Sequence, residues 1–174
     1  MLQGDWDKVQ RKLSSIADQI ETEAKQATAE SLALIETTVL DHLKNQDLSW
    51  KPLSGKYADY KKQTRKASWR RKRKKAGLNV PRRLSEKTLI ATAAMLQAIT
   101  SYQQGSFACE VGVSRQKEYK GKDGIKIANI GAIHELGSRD GRIPKRALWE
   151  PTAEEVKERV LEKFKRVTEK LIDV

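Results

Sequence analysis

Cysteine, histidine, proline and long apolar runs are scarce in this chain. Its 174 residues include one cysteine, Cys109, two histidines, His42 and His134, and four prolines. A single cysteine excludes an internal disulfide framework and fits a reducing compartment. No stretch approaches the roughly 18 consecutive apolar residues of a membrane span. The opening MLQGDWDKVQ lacks the apolar segment of a secretory signal. Neither a membrane nor a secretory route is expected.

The scarcity extends to catalytic chemistry. His134-Glu135 begins like a zinc-protease motif, but the position four residues after His134 is Ser138. A metal gripped from one helix needs a second imidazole there, and one histidine with one cysteine does not make a zinc site. No G-x-S-x-G is present, and Gly121-Lys122-Asp123-Gly124 lacks the flanks of a phosphate loop. The expectation is a protein that is not an enzyme and carries no metal and no cofactor.

Charge is what the chain has in quantity. Charged residues make up 33% of it, the formal net charge is +12, and the mean hydropathy is −0.70. Such values suit exposed helices or a broad partner surface. The excess is local. Lys51–Lys87 holds 15 Lys and Arg against Asp59 and Glu86, while the remaining residues are nearly neutral. A local block of this kind suits an acidic partner or a nucleic-acid-facing surface.

Periodicity gives the organisation. Over 3–46, Trp6, Val9, Leu13, Ile16, Ile20, Ala24, Ala27, Ser31, Ile35, Val39 and Leu43 recur at steps of mostly three and four. That spacing predicts one long helix with a heptad-like stripe. The stripe is small in its middle, so whatever covers it there comes close. At 1.5 Å per residue the helix is about 60 Å long, more than a small domain covers. It packs on the C-terminal helix as a hairpin, on another subunit, or on both.

Residues 47–54 read as a loop anchored by Trp50 and Leu53. Residues 55–76 can form a helix, and Arg70-Arg71-Lys72-Arg73-Lys74-Lys75 has no apolar face and repels itself, which predicts mobility unless it is neutralised. Ser85 reads as the cap of a helix over about 86–102, ended by Gly105. Phe107, Cys109, Val111 and Val113 alternate as a half-buried strand over 106–113. A polar tip over 114–124, a second short strand at 125–128, a short helix at 129–137 closed by Gly137 and a flexible loop at 138–143 follow. Pro151 suits the first turn of a last helix whose stripe is Val156, Val160, Phe164, Val167 and Leu171. The expected architecture is a single α+β domain. A long N-terminal helix (3–46) and a C-terminal helix (151–172) pack with a central helix on a small antiparallel sheet. A basic insert occupies about 55–83 and the α+β core about 85–150.

The basic block admits three readings: a solvated segment, a nuclear-localisation or RNA-binding patch, or a loop facing DNA or an acidic protein surface within an assembly. Tyr57, Tyr60 and Trp69 would suit stacking on single strands, although a packing role fits their loose spacing. With charge and no recognition motif, any contact is to phosphates. The contact candidates are Arg65, Lys66, Arg70, Arg71, Lys72, Arg73, Lys74 and Lys75.

Three blocks together resemble a known family. The first is Trp50-Lys51-Pro52-Leu53-Ser54 with Tyr57 and Lys61-Lys62. The second is Leu89-Ile90-Ala91-Thr92-Ala93-Ala94-Met95-Leu96-Gln97-Ala98-Ile99, leading to Val111-Gly112-Val113. The third is Ile130-Gly131-Ala132-Ile133-His134-Glu135-Leu136-Gly137 followed by Pro144-Lys145-Arg146-Ala147-Leu148-Trp149-Glu150-Pro151. In order and spacing they are similar to the tail-completion, or head–tail joining, proteins of tailed bacteriophages. That group includes the Mu-type virion morphogenesis and lambda-type minor tail protein Z proteins. The chain departs from the family pattern at Ala93, Ile130, Lys145, Ala147, Leu148 and Trp149.

The resemblance covers roughly 48–151. It implies an α+β structural subunit of the virion neck that is made in the host bacterial cytoplasm. Such a subunit assembles as a homo-oligomeric ring, expected to be a hexamer. Its implied partners are head connector or portal-side proteins, tail terminator or tail tube proteins, and phage DNA. Subunit or packing contacts are expected from Trp50, Ile133, His134, Glu135, Arg146 and Trp149. The rival reading is a non-sequence-specific nucleic-acid-binding protein that uses residues 56–87.

Overall fold

A computed structural model of the chain describes residues 5–80, 83–89, 94–117 and 125–172. The fold is α+β: a long N-terminal helix, a C-terminal helix and one two-stranded antiparallel sheet. The elements are α1 (Trp6–Asn45), α2 (Gly55–Arg65), α3 (Ala67–Lys75), α4 (Ala94–Ala98), β1 (Ile99–Gln104), β2 (Ala108–Val113), α5 (Ile127–Leu136) and α6 (Trp149–Ile172). The chain divides into two compact units. One comprises Met1–Glu36, Ser101–Val111 and Ala153–Val174, the other Thr37–Thr100 and Gly112–Thr152.

In the first unit the small stretch of the α1 stripe is the buried one: Ala24, Ala27, Thr28 and Ser31 are covered, as are Val156 and Val167 of α6. Small side chains let backbone approach, and the Thr28 hydroxyl donates to Ser106 O at 2.6 Å in the hairpin turn. Gln103 Nε2 likewise donates to Lys25 O at 3.1 Å. Two ion pairs join α1 to α6, Lys163–Glu30 at 2.8 Å and Lys170–Glu23 at 2.7 Å. The N-terminal part of the stripe is left bare: Trp6 is 75% exposed and Leu13 62%.

The hairpin turns at Gly105, whose φ of +74° favours glycine. β1 alternates half-buried and exposed positions along its length. Phe107, expected on the inward face of the second strand, instead sits in the turn and is 66% exposed.

The second unit holds the larger core, with Val39 and Leu43 of α1, Met95 and Ala98 of α4, Ile127 of α5 and Leu148 all buried. Gly131 permits a close approach: a Cβ there would lie 3.3 Å from Met95 Cε and 3.4 Å from Val113 Cγ2.

Several expected elements differ. Among the described residues, the helix expected over 86–102 is found only as α4, and its last positions are β1. Leu89 has φ +59°, which a right-handed helix cannot contain, and Ile99, Thr100 and Tyr102 carry the branched and aromatic side chains that fit a pleated surface. Ile90–Ala93 lie outside the described residues. The strand expected at 125–128 is a single bridge, Ile127 N–H to Lys117 O at 3.0 Å, after which α5 begins; residues 118–124 of the expected tip lie outside the described residues. The 55–76 helix is two helices, because Lys66 is extended (φ −71°, ψ 121°). The 138–143 loop is laced at its base, with Ser138 N–H donating to Ile143 O at 2.9 Å and Ile143 N–H to the Ser138 hydroxyl at 2.8 Å.

Candidate functional site

Five of the six expected contact residues meet in the second unit. The Trp50 indole N–H donates to Ala147 O at 2.7 Å. Arg146 N–H donates to His134 O at 2.6 Å. The Arg146 guanidinium reaches back to the loop before α2, with Nε on Lys51 O at 3.1 Å and Nη2 on Pro52 O at 3.4 Å.

Glu135 supplies the cap of α6. Its carboxylate accepts N–H groups from Leu148 at 2.7 Å, Trp149 at 3.3 Å and Glu150 at 3.4 Å. A helix N-terminus leaves its first amides without intrahelical partners and carries partial positive charge. The carboxylate answers both needs, and Pro151 has no N–H to satisfy.

Gly137 makes the return possible. With φ +83° and ψ 162° it occupies a region that glycine almost alone adopts, and a Cβ there would lie 3.2 Å from Lys145 N. The sixth residue, Ile133, stands apart from this knot and is 41% exposed on α5, as is Leu136 at 77%.

The knot borders a pocket of about 230 Å³. Its apolar wall is Leu53, Leu89, Met95, Ile127 and Ile130; its polar end is Lys61, His134 and Arg146, with Tyr57 beside Lys61. Lys61 is only 2% exposed and Arg146 5%. Lys61 Nζ donates to Lys87 O at 2.8 Å and lies 5.3 Å from the centre of the Tyr57 ring. Burial, aided by the nearby Arg146 charge, pushes the Lys61 ammonium below its ordinary range. Burial also pushes the His134 imidazole down, with Arg146 and then Lys61 adding to the effect. The His134 carbonyl accepts from Arg146, and its buried ring Nδ1 has no hydrogen-bond partner among the described residues.

Sequence reasoning did not single out Lys61 as a site residue. The only signal for it is the four-residue step from Tyr57, which puts both on one face of α2.

The basic block is ordered as helix. α3 carries Lys72, Arg73, Lys74 and Lys75 in its last turn, where the helix dipole favours cations and offsets part of their repulsion. Its end is a Schellman cap: Leu78 N–H donates to Arg73 O at 2.9 Å and Gly77 N–H to Lys74 O at 3.1 Å, with Gly77 at φ +67°. Tyr60 packs on Tyr57 and on Trp69, with ring centres 6.4 Å apart in both pairs, and the Arg73 guanidinium covers Trp69 at 5.1 Å. Arg65 pairs with Glu86 at 3.9 Å, and Arg70 Nη1 donates to Thr64 O at 3.4 Å. Lys66, Arg71, Lys72, Lys74 and Lys75 are exposed and make no ion pair among the described residues.

The described residues contain no group of three or more His, Cys, Asp or Glu that could hold a metal ion. Among them no helix is long and apolar enough to cross a membrane. Cys109 is half-buried, and burial pushes its thiol up, away from the reactive thiolate. No family model, no curated protein and no solved structure matches this chain.

Proposed function

We propose that the chain is a structural subunit of a tailed-bacteriophage neck. In this reading it completes the tail, joins it to the head, resides in the virion and assembles as a ring of its own copies, six in number. The observation that carries the reading is that described residues of all three resembling blocks meet in one compact unit. Trp50 and the Lys51 and Pro52 carbonyls of the first block bond to Ala147 and Arg146 of the third. Met95 and Ala98 of the second block form a core cluster with Ile127, at the start of the helix that carries the third. Residues far apart in sequence therefore belong to one framework, which supports reading the three blocks together.

The bare apolar side chains supply the reason to assemble. Trp6, Val9, Leu13, Ile133 and Leu136 are exposed, and apolar surface of this kind gains free energy when a partner removes it from water. Portal-side and tail tube proteins are the neighbours this reading assigns. Light scattering and negative-stain microscopy of the purified chain test the self-assembly directly. Closed rings support the proposal; a monomer at all concentrations, with and without tail tubes, opposes it.

A second reading, non-specific nucleic-acid binding, is favoured by one observation: the exposed cations of α3 that make no ion pair among the described residues. The two readings are compatible if the helix meets DNA passing through the neck. Duplex binding by a monomer, with no ring, would favour the second alone.

A further inference from the structure

We propose that the pocket between α2, α4 and α5 is a binding site for an organic carboxylate carried on a compact apolar body. Three nitrogen-bearing side chains converge on its polar end, the cations Lys61 and Arg146 and the imidazole of His134, and none of the described residues lining it is acidic. Two of the three are almost fully buried. Gathering like charges away from water is costly unless an anion joins them. Arg146 donates to Lys51 O and Pro52 O, both of them neutral carbonyls. Two of the five N–H donors of Arg146 are used in this way. His134 Nδ1, buried and without a partner among the described residues, supplies one more polar atom at the same end.

The rest of the wall selects the ligand class. Leu53, Leu89, Met95, Ile127 and Ile130 give no hydrogen bond to a second polar group. A bare phosphate would leave that wall unused, and a sugar would bury hydroxyls against it. A short-chain or small aromatic acid satisfies both ends. The volume, about 230 Å³, is below that of drug-sized sites and suits an acid of this size. The carboxylate could be that of a free acid or be delivered by a second copy of the chain, since the chemistry at the site is the same.

The probe is pentanoate, with pentanamide and inorganic phosphate as controls, added to the full chain. Calorimetry reads affinity; NMR reads the Met95 methyl and the His134 ring. Pentanoate should shift both signals. The charge contribution predicts binding about tenfold or more tighter than that of pentanamide. Bound carboxylate should also raise the His134 titration midpoint, against the Arg146 and Lys61 charges that depress it. Lys61→Met and His134→Gln should each weaken pentanoate. If Lys61→Met does not fold without its Lys87 contact, His134→Gln and the NMR shifts carry the test.

Unchanged oligomer size on saturation with pentanoate assigns the site to a free acid. Dissociation of assembled protein by pentanoate assigns it to a carboxylate from a neighbouring copy, and either outcome upholds the site. No shift at Met95 and His134, or equal binding of pentanamide or phosphate, overturns it.

Discussion

The carboxylate of Glu135, on α5, accepts the backbone N–H of Leu148 at 2.7 Å and so caps α6 from outside it. Leu148 is buried, which makes its amide expensive to leave unsatisfied. Glu135→Ala should therefore cost about 1–3 kcal/mol in unfolding free energy, measured by urea denaturation. Glu135→Gln should lose less, because its amide oxygen still accepts. Equal stability of wild type and Glu135→Ala would show that water serves the amides as well.

His134 gives the pH dependence a sign. Its folded-state imidazole is held below the ordinary value by burial and by Arg146 and Lys61. The unfolded chain then binds the proton more readily. Stability from this group is fully present above the unfolded value near 6.5 and is lost as pH falls toward the folded one. The melting temperature should fall from about pH 7.5 to about 5.5, and His134→Gln should flatten that part of the curve. An unchanged slope in the variant would assign the effect to other groups.

The stripe of α1 should split by position. Leu43 is fully buried, and Leu43→Ala should cost about 2–5 kcal/mol. Leu13, 62% exposed, should cost the monomer within about 0.5 kcal/mol when changed to Ala while reducing self-association seen by sedimentation velocity. A Leu13→Ala variant that assembles normally would mean that the N-terminal turns face water in the particle.

Replacing Arg71, Lys72, Lys74 and Lys75 with Gln removes cations that make no ion pair among the described residues and keeps good helix formers. Fluorescence anisotropy with duplex DNA should show weaker binding without sequence preference. The log–log salt slope should flatten by about 0.9 for each phosphate that is no longer neutralised. Unchanged affinity would leave α3 a solvated surface.

Much of this architecture is legible in the sequence where one local rule governs it. The three-and-four spacing from Trp6 to Leu43 marks α1, the Val156–Val167 spacing marks α6, and Gly137 marks the end of α5. The approach expected at the small stretch Ala24–Ser31 is made by the hairpin turn through Ser106. Non-local pairing defeated the rest. Residues 99–102 carry a pattern readable as the end of a helix, yet pairing with β2 makes them strand. Lys61 looks like any surface lysine of a basic segment, and its carbonyl partner lies 26 residues away. The Glu135 cap is equally invisible, since its acceptor and donors are joined only by the fold.

Assembly at the head–tail junction is the central claim, and electron microscopy of particles made without this protein tests it most directly. The account predicts filled heads and finished tails lying apart, with joining restored when the protein is supplied. Normal joined and infectious virions in its absence would contradict the account.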